Sequence, residues 1–128
     1  MNSIHSIPRK LALAIFAFVA LFNTSFGASI SDMNKDALAA MKSGKWAEAQ
    51  AILVKATNSY DARAPQLYGP RFGWFWYHRG YCEIKLGMFG DAMKSFEKCY
   101  KRYPNTKPKE GQASSKNMYN KLSLLMWG

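Results

Sequence analysis

His78 and Cys82 stand four residues apart inside the run RFGWFWYHRGYC at 71–82. On a helix that spacing puts two soft ligands, or a thiol and its base, on one face. Zinc asks for four ligands, and past residue 28 the chain offers only His78, Cys82 and Cys99 as soft donors. Nucleophilic catalysis by Cys82 would need a third group to orient the histidine, and the sequence shows none. The reading is therefore a protein that is not an enzyme, with no catalytic residue, no metal and no cofactor. The same run also holds six aromatic side chains. Whether they are a displayed site or an interior depends on the elements that carry them.

The chain has 128 residues, at most one domain. It opens with the three parts of an export signal: a start ending in Arg9-Lys10, twelve residues from Leu11 to Phe22 with no charged or polar group, and a small, polar stretch to Ser29. Twelve is short of the roughly 20 apolar residues that span a bilayer. Ser25-Phe26-Gly27 favours a cut before Ala28, and Gly27-Ala28-Ser29 favours one before Ile30 nearly as well. The expected organisation is a signal at 1–27, a helical domain at 28–111 and a last helix at 112–128.

Two of the 18 Lys and Arg, Arg9 and Lys10, fall in the signal and none of the 8 Asp and Glu does, so the formal charge of +10 becomes +8 after processing. A chain of that charge is drawn to anionic surfaces. Export, and the lack of a basic stripe interleaved with aromatics, argue against nucleic acid as the partner. Membrane contact is expected to be at most peripheral.

Helical spacing runs through Met33, Ala37, Ala40 and Met41, with Ser31-Asp32 expected as the cap, and stops at Gly44. It resumes at Trp46, Ala49, Leu53 and Ala56. Pro65, Gly69 and Pro70 mark an irregular connection over 60–72. Trp76, Gly80 and Leu86 are expected to face a core, Gly87 interrupts, and Ala92, Met93, Phe96, Cys99 and Tyr100 share a face until Pro104. Met118, Leu122 and Leu125 form the last stripe, with Leu124 and Trp127 off it. No segment alternates like a strand. The fold class is all-α: two glycine-broken hairpins, about 32–59 and 73–104, and a C-terminal helix. SGKWAEAQAIL and KLGMFGDAMKSF align at Gly44/Gly87, Trp46/Phe89, Ala49/Ala92 and Leu53/Phe96, which is an internal repeat and points to a short α-solenoid.

Trp76, Gly80, Ala92, Phe96 and Pro104 follow the order and spacing of the pattern W-x2-L-G-x2-Y, A-x3-F, P. On these residues the chain resembles the tetratricopeptide repeat family, over roughly 31–104. Arg79 replaces the usual leucine and Glu83 the usual tyrosine; four apart on one helix, they can pair. The two glycines are 43 residues apart where a repeat has 34, so the extra length falls in the connection. FEKCYKRYPNT, after a signal, is similar to repeats of bacterial envelope proteins, which implies a Gram-negative periplasm.

In such repeats the first helix of each hairpin lines the concave wall. On that wall the wheel places Trp74, Tyr77, His78, Tyr81 and Lys85, matched in the first hairpin by Asn34, Lys35, Leu38 and Lys42. A basic, aromatic wall suits a protein or peptide partner of acidic character, and the function implied is a non-catalytic adaptor. The competing reading of Tyr77 and Tyr81 is that the connection over 60–72 covers them. The apolar end LSLLMWG leaves self-association, or docking on a further repeat, as the alternative function, and association with anionic membrane or polysaccharide as another. Antiparallel pairing about Gly87 sets Cys99 level with about Trp76, roughly 9 Å along the axis from Cys82 and beyond the roughly 7 Å that a disulfide tolerates. Two buried, unbridged thiols are expected.

Overall fold

The structure, a computed structural model, describes residues 29–60 and 72–128. The expected signal at 1–27, the cut at Ala28 and nearly all of the connection at 60–72 lie outside the described residues. All regular structure among the described residues is helical: α1 (Ile30–Lys42), α2 (Trp46–Tyr60), α3 (Gly73–Lys85), α4 (Phe89–Arg102) and α5 (Ser115–Trp127). Each helix packs on the next in chain order, α1 on α2, α2 on α3, α3 on α4 and α4 on α5.

The start of α1 differs from the expected cap at Ser31-Asp32. Ser29 is the residue with extended backbone, and its Oγ accepts from the Asp32 N–H at 3.1 Å. Ser31 is already in the first turn, as is Asp32, whose carboxyl suits the positive end of the helix dipole. α5 opens the same way, with Ser114 Oγ accepting from Asn117 N–H at 3.2 Å.

The two hairpin turns are copies of one another. Gly44 N–H donates to Met41 O at 3.0 Å and Lys45 N–H to Ala40 O at 2.8 Å; Gly87 N–H donates to Ile84 O at 3.0 Å and Met88 N–H to Glu83 O at 2.8 Å. Both glycines hold positive φ, 72° and 75°, the left-handed position that closes a helix in this paired-bond turn. The internal repeat seen in the sequence is thus carried into backbone geometry, with every partner shifted by the same interval.

Inside each hairpin the repeat positions are buried alike. Met33 and Trp76, Ala37 and Gly80, Ala49 and Ala92, and Leu53 and Phe96 all belong to one continuous core. Gly80 shows why the pattern wants no side chain there: a Cβ would lie 2.8 Å from the Phe96 ring. Two expected inward residues turn out instead. Leu86 is the residue that ends α3, beyond its last full turn, and is 39% exposed. Leu125 is 77% exposed, and Met126, about 100° further round the helix, is the residue whose Cε reaches Gly90, though it too remains 40% exposed.

After Tyr103 the chain folds back across the start of α3. Tyr103 is buried, and a Cβ on Gly73 would collide with Tyr103 and with the Thr106 side chain. This crossing covers part of α3, whereas the expected cover of Tyr77 and Tyr81 by the connection over 60–72 falls almost wholly outside the described residues.

Candidate functional site

Trp74, His78, Tyr81 and Lys85 recur at intervals of four, three and four along α3 and so line one side of it. The first three are half-buried and Lys85 is exposed. Tyr77, expected beside them, belongs to the core instead. It is 4% exposed, meets the Phe96 ring edge-on at 5.4 Å between centroids, and donates its hydroxyl to Ala113 O at 2.7 Å. Burial, with smaller contributions from Cys99 and Tyr81, raises its pKa, so the hydroxyl stays a donor. Among the described residues the segment before α5 contributes to this cover through Ala113, a contact between positions 36 apart that no local spacing signals.

On α1, Lys35, Leu38 and Lys42 are exposed and Asn34 is half-buried. The 43-residue interval between the turn glycines sets Leu38 against Tyr81 and Lys42 against Lys85, so both helices end their exposed side on a lysine. α1 and α3 each pack on α2.

Trp46 joins this face although its spacing reads as core. It is half-buried at the start of α2, with its ring 5.8 Å from that of Tyr81. Lys85 Nζ lies 5.5 Å from the centre of the Trp46 ring and 5.6 Å from that of Tyr81, a cation held by two aromatic faces. Its signal in the sequence was the position just past the first turn glycine, where the preceding repeat's aromatic meets the next repeat's first helix.

At the other end of the row, the His78 ring stacks on Trp74 at 5.5 Å. Its Nδ1 is buried without a hydrogen-bond partner. Burial, then the nearby Lys109 charge, lowers its pKa to about 4, so the ring is neutral at pH 7. An uncharged histidine sealed against tryptophan contributes apolar surface rather than charge.

Behind the face, Arg79 and Glu83 do pair, at 3.6 Å. Glu83 is 1% exposed and also accepts from Ser95 Oγ of α4 and from Gln50 Nε2 of α2, the latter at 3.3 Å. Arg79 in turn donates to Thr57 Oγ1 at 2.8 Å and lies over the Trp76 ring. One buried acid thereby ties three helices together. Cys82 and Cys99 are both free and fully buried. Burial, then the Glu83 charge, pushes the Cys82 thiol up to about 11. Cys99 donates to Gly73 O at 3.3 Å, close to the level that antiparallel pairing assigned it. Among the described residues no group of three or more His, Cys, Asp or Glu is placed to hold a metal. His78 and Cys82 differ in surroundings as well: one stacks on Trp74, the other sits in the core.

Comparison with family models matches residues 75–106 to the tetratricopeptide repeat. No curated protein and no solved structure matches the chain. The matched segment contains α4 and most of α3, together with the Gly87 turn and the Gly80–Phe96 close approach that the repeat pattern calls for. Residues 75–106 are thus a tetratricopeptide repeat.

Proposed function

We propose that this protein is an exported, non-catalytic adaptor of the cell envelope, in a Gram-negative periplasm, that holds an acidic protein or peptide segment against α1 and α3. Repeats of this family generally bind proteins or peptides and are generally non-catalytic scaffolds. The observation that carries the reading is the Trp46–Tyr81–Lys85 cluster, half-open where the two hairpins meet. Two rings and an ammonium group in one place offer apolar contact and a charge together, and a partner carboxylate can meet Lys85 while its neighbouring side chain lies on Tyr81. Lys42, at the equivalent repeat position, extends the positive side onto α1. Trp74 and His78 prolong the apolar side. Export is supported by the order of charged, apolar and small residues over 1–29, and a cut before Ala28 keeps the Ser29 cap of α1 whereas one before Ile30 removes it.

The test is an in-cell photocrosslink from a reactive residue at position 81, with a second at Lys94, exposed on α4. A discrete protein adduct from 81 and not from 94, weakened by Lys85→Glu, is the expected result. Equal adducts from both positions, or none from 81, would sink the reading. Mass spectrometry of the mature N-terminus checks the cut: a chain beginning at Ala28 is expected.

A further inference from the structure

Seven of the eight large apolar side chains left exposed among the described residues lie at one end of the molecule. They come from two places far apart in sequence: Leu86, Met88 and Phe89 at the second hairpin turn, and the four residues from Leu124 to Trp127 at the end of α5. The topology brings them together. α5 runs antiparallel to α4, with Tyr119 on Tyr100 and the Met126 Cε within 3.9 Å of where a Gly90 Cβ would be. The first hairpin turn is at the same end, since Lys85 reaches the Trp46 ring. Three short stretches therefore share this tip: 42–46, 85–89 and 124–127. They contain Lys42, Lys45 and Lys85 and no acidic residue. Three side-chain carboxyls lie two residues from these stretches: Glu48 and Asp91, further along α2 and α4, and Glu83, which is buried and held by Arg79, Ser95 and Gln50.

We infer that this end docks on an anionic phospholipid surface, with Phe89, Leu124, Leu125 and Trp127 entering the headgroup boundary and Lys42, Lys45 and Lys85 meeting the phosphates. Three features select a bilayer over other occupants. The exposed apolar groups come from the second hairpin turn and the last turn of α5, not from a long helical stripe of the kind a partner helix lies along. Tryptophan and phenylalanine beside lysine is the composition that suits the boundary between hydrocarbon and water. A second copy meeting this tip would bring six lysines together on a chain that already carries a large positive excess. No helix among the described residues is long and apolar enough to cross a membrane, so the contact is peripheral.

Residues 11–22 can themselves hold the full chain on vesicles, so the readout must be local. Leu124→Cys is labelled with a nitroxide in the full chain, and Asn105→Cys, on the segment at the opposite end of α4, serves as the control. The native thiols Cys82 and Cys99 are fully buried and do not compete for the label. On vesicles containing phosphatidylglycerol, the label at 124 should become accessible to oxygen and shielded from a water-soluble nickel chelate, while the label at 105 stays aqueous. Phe89→Glu, at an exposed position, should reduce the immersed fraction at 124 about tenfold. An aqueous label at 124 on vesicles that carry the chain, or equal immersion in phosphatidylcholine alone, overturns the inference. Spin–spin broadening without vesicles overturns it in favour of a second copy.

Discussion

Glu83 occupies the place where the repeat pattern has tyrosine, and the structure shows what replaces the lost apolar contact. Its carboxyl is held by Ser95, Gln50 and Arg79, and Arg79 is itself the substitute for the usual leucine. The two departures are one exchange. Glu83→Ala should therefore cost about 2–4 kcal/mol in urea unfolding, because it strands the Arg79 charge and the Ser95 hydroxyl. The double change Arg79→Leu with Glu83→Tyr, which restores the pattern, should recover most of that loss; a double variant less stable than Glu83→Ala would refute the exchange. His78 makes a separate prediction. Its ring is kept neutral down to about pH 4, whereas in the unfolded chain it takes its proton near 6.5. A depressed folded pKa gives stability that is complete above about pH 6.5 and is lost as pH falls towards 4. Between pH 7 and 4.5 the histidine alone should remove about 2 kcal/mol. His78→Gln should flatten that part of the pH profile relative to the parent chain, and an unchanged slope would place the histidine in water.

At the scale of the element, the glycines show where backbone rather than side chain decides. Gly80→Ala raises helix propensity by about 1 kcal/mol but drives a Cβ to 2.8 Å from the Phe96 ring. Overpacking should win, for a net loss of about 1–2 kcal/mol, and Phe96→Leu in the same chain should make the alanine neutral or favourable. Thermal unfolding of the four chains gives the coupling directly. The helices were legible from the sequence because each follows one apolar period and each hairpin is broken by a glycine at the same repeat position. The Arg79–Glu83 pair was legible too, since i,i+4 spacing is local. Tyr77 was not. A wheel places it beside Trp74 and Tyr81, whereas in the structure its ring meets Phe96 and its hydroxyl reaches the Ala113 carbonyl, on a segment that returns over α3. Trp46 failed in the opposite sense, because its period reads as core while its ring is shared with Tyr81 and Lys85 of the next hairpin. Leu86 and Leu125 sit at helix ends, where one residue of register turns a side chain from core to solvent.

For the whole molecule the governing quantity is charge. The chain carries 18 basic and 8 acidic side chains, and one of its ion pairs, Lys101 with Glu97 at 3.4 Å, is largely solvated. Such an excess repels itself in the compact state, and at low ionic strength the repulsion spans a body this small, since the screening length is about 30 Å at 0.01 M against about 8 Å at 0.15 M. Added salt should therefore stabilise the fold. A gain of about 1 kcal/mol between those two concentrations corresponds to a rise in Tm of roughly 4–8 °C for a domain of this size. The proposed contacts respond in the opposite direction, because Lys42 and Lys85 attract an acidic segment, and with Lys45 a phosphate surface, through the same field that salt weakens. Scanning calorimetry and a binding titration on one salt series thus give opposed slopes if the surplus charge is kept for a partner. Stability that falls with salt would mean that attractive pairs already consume the surplus within the fold, and the basic face would then have little left to offer a ligand.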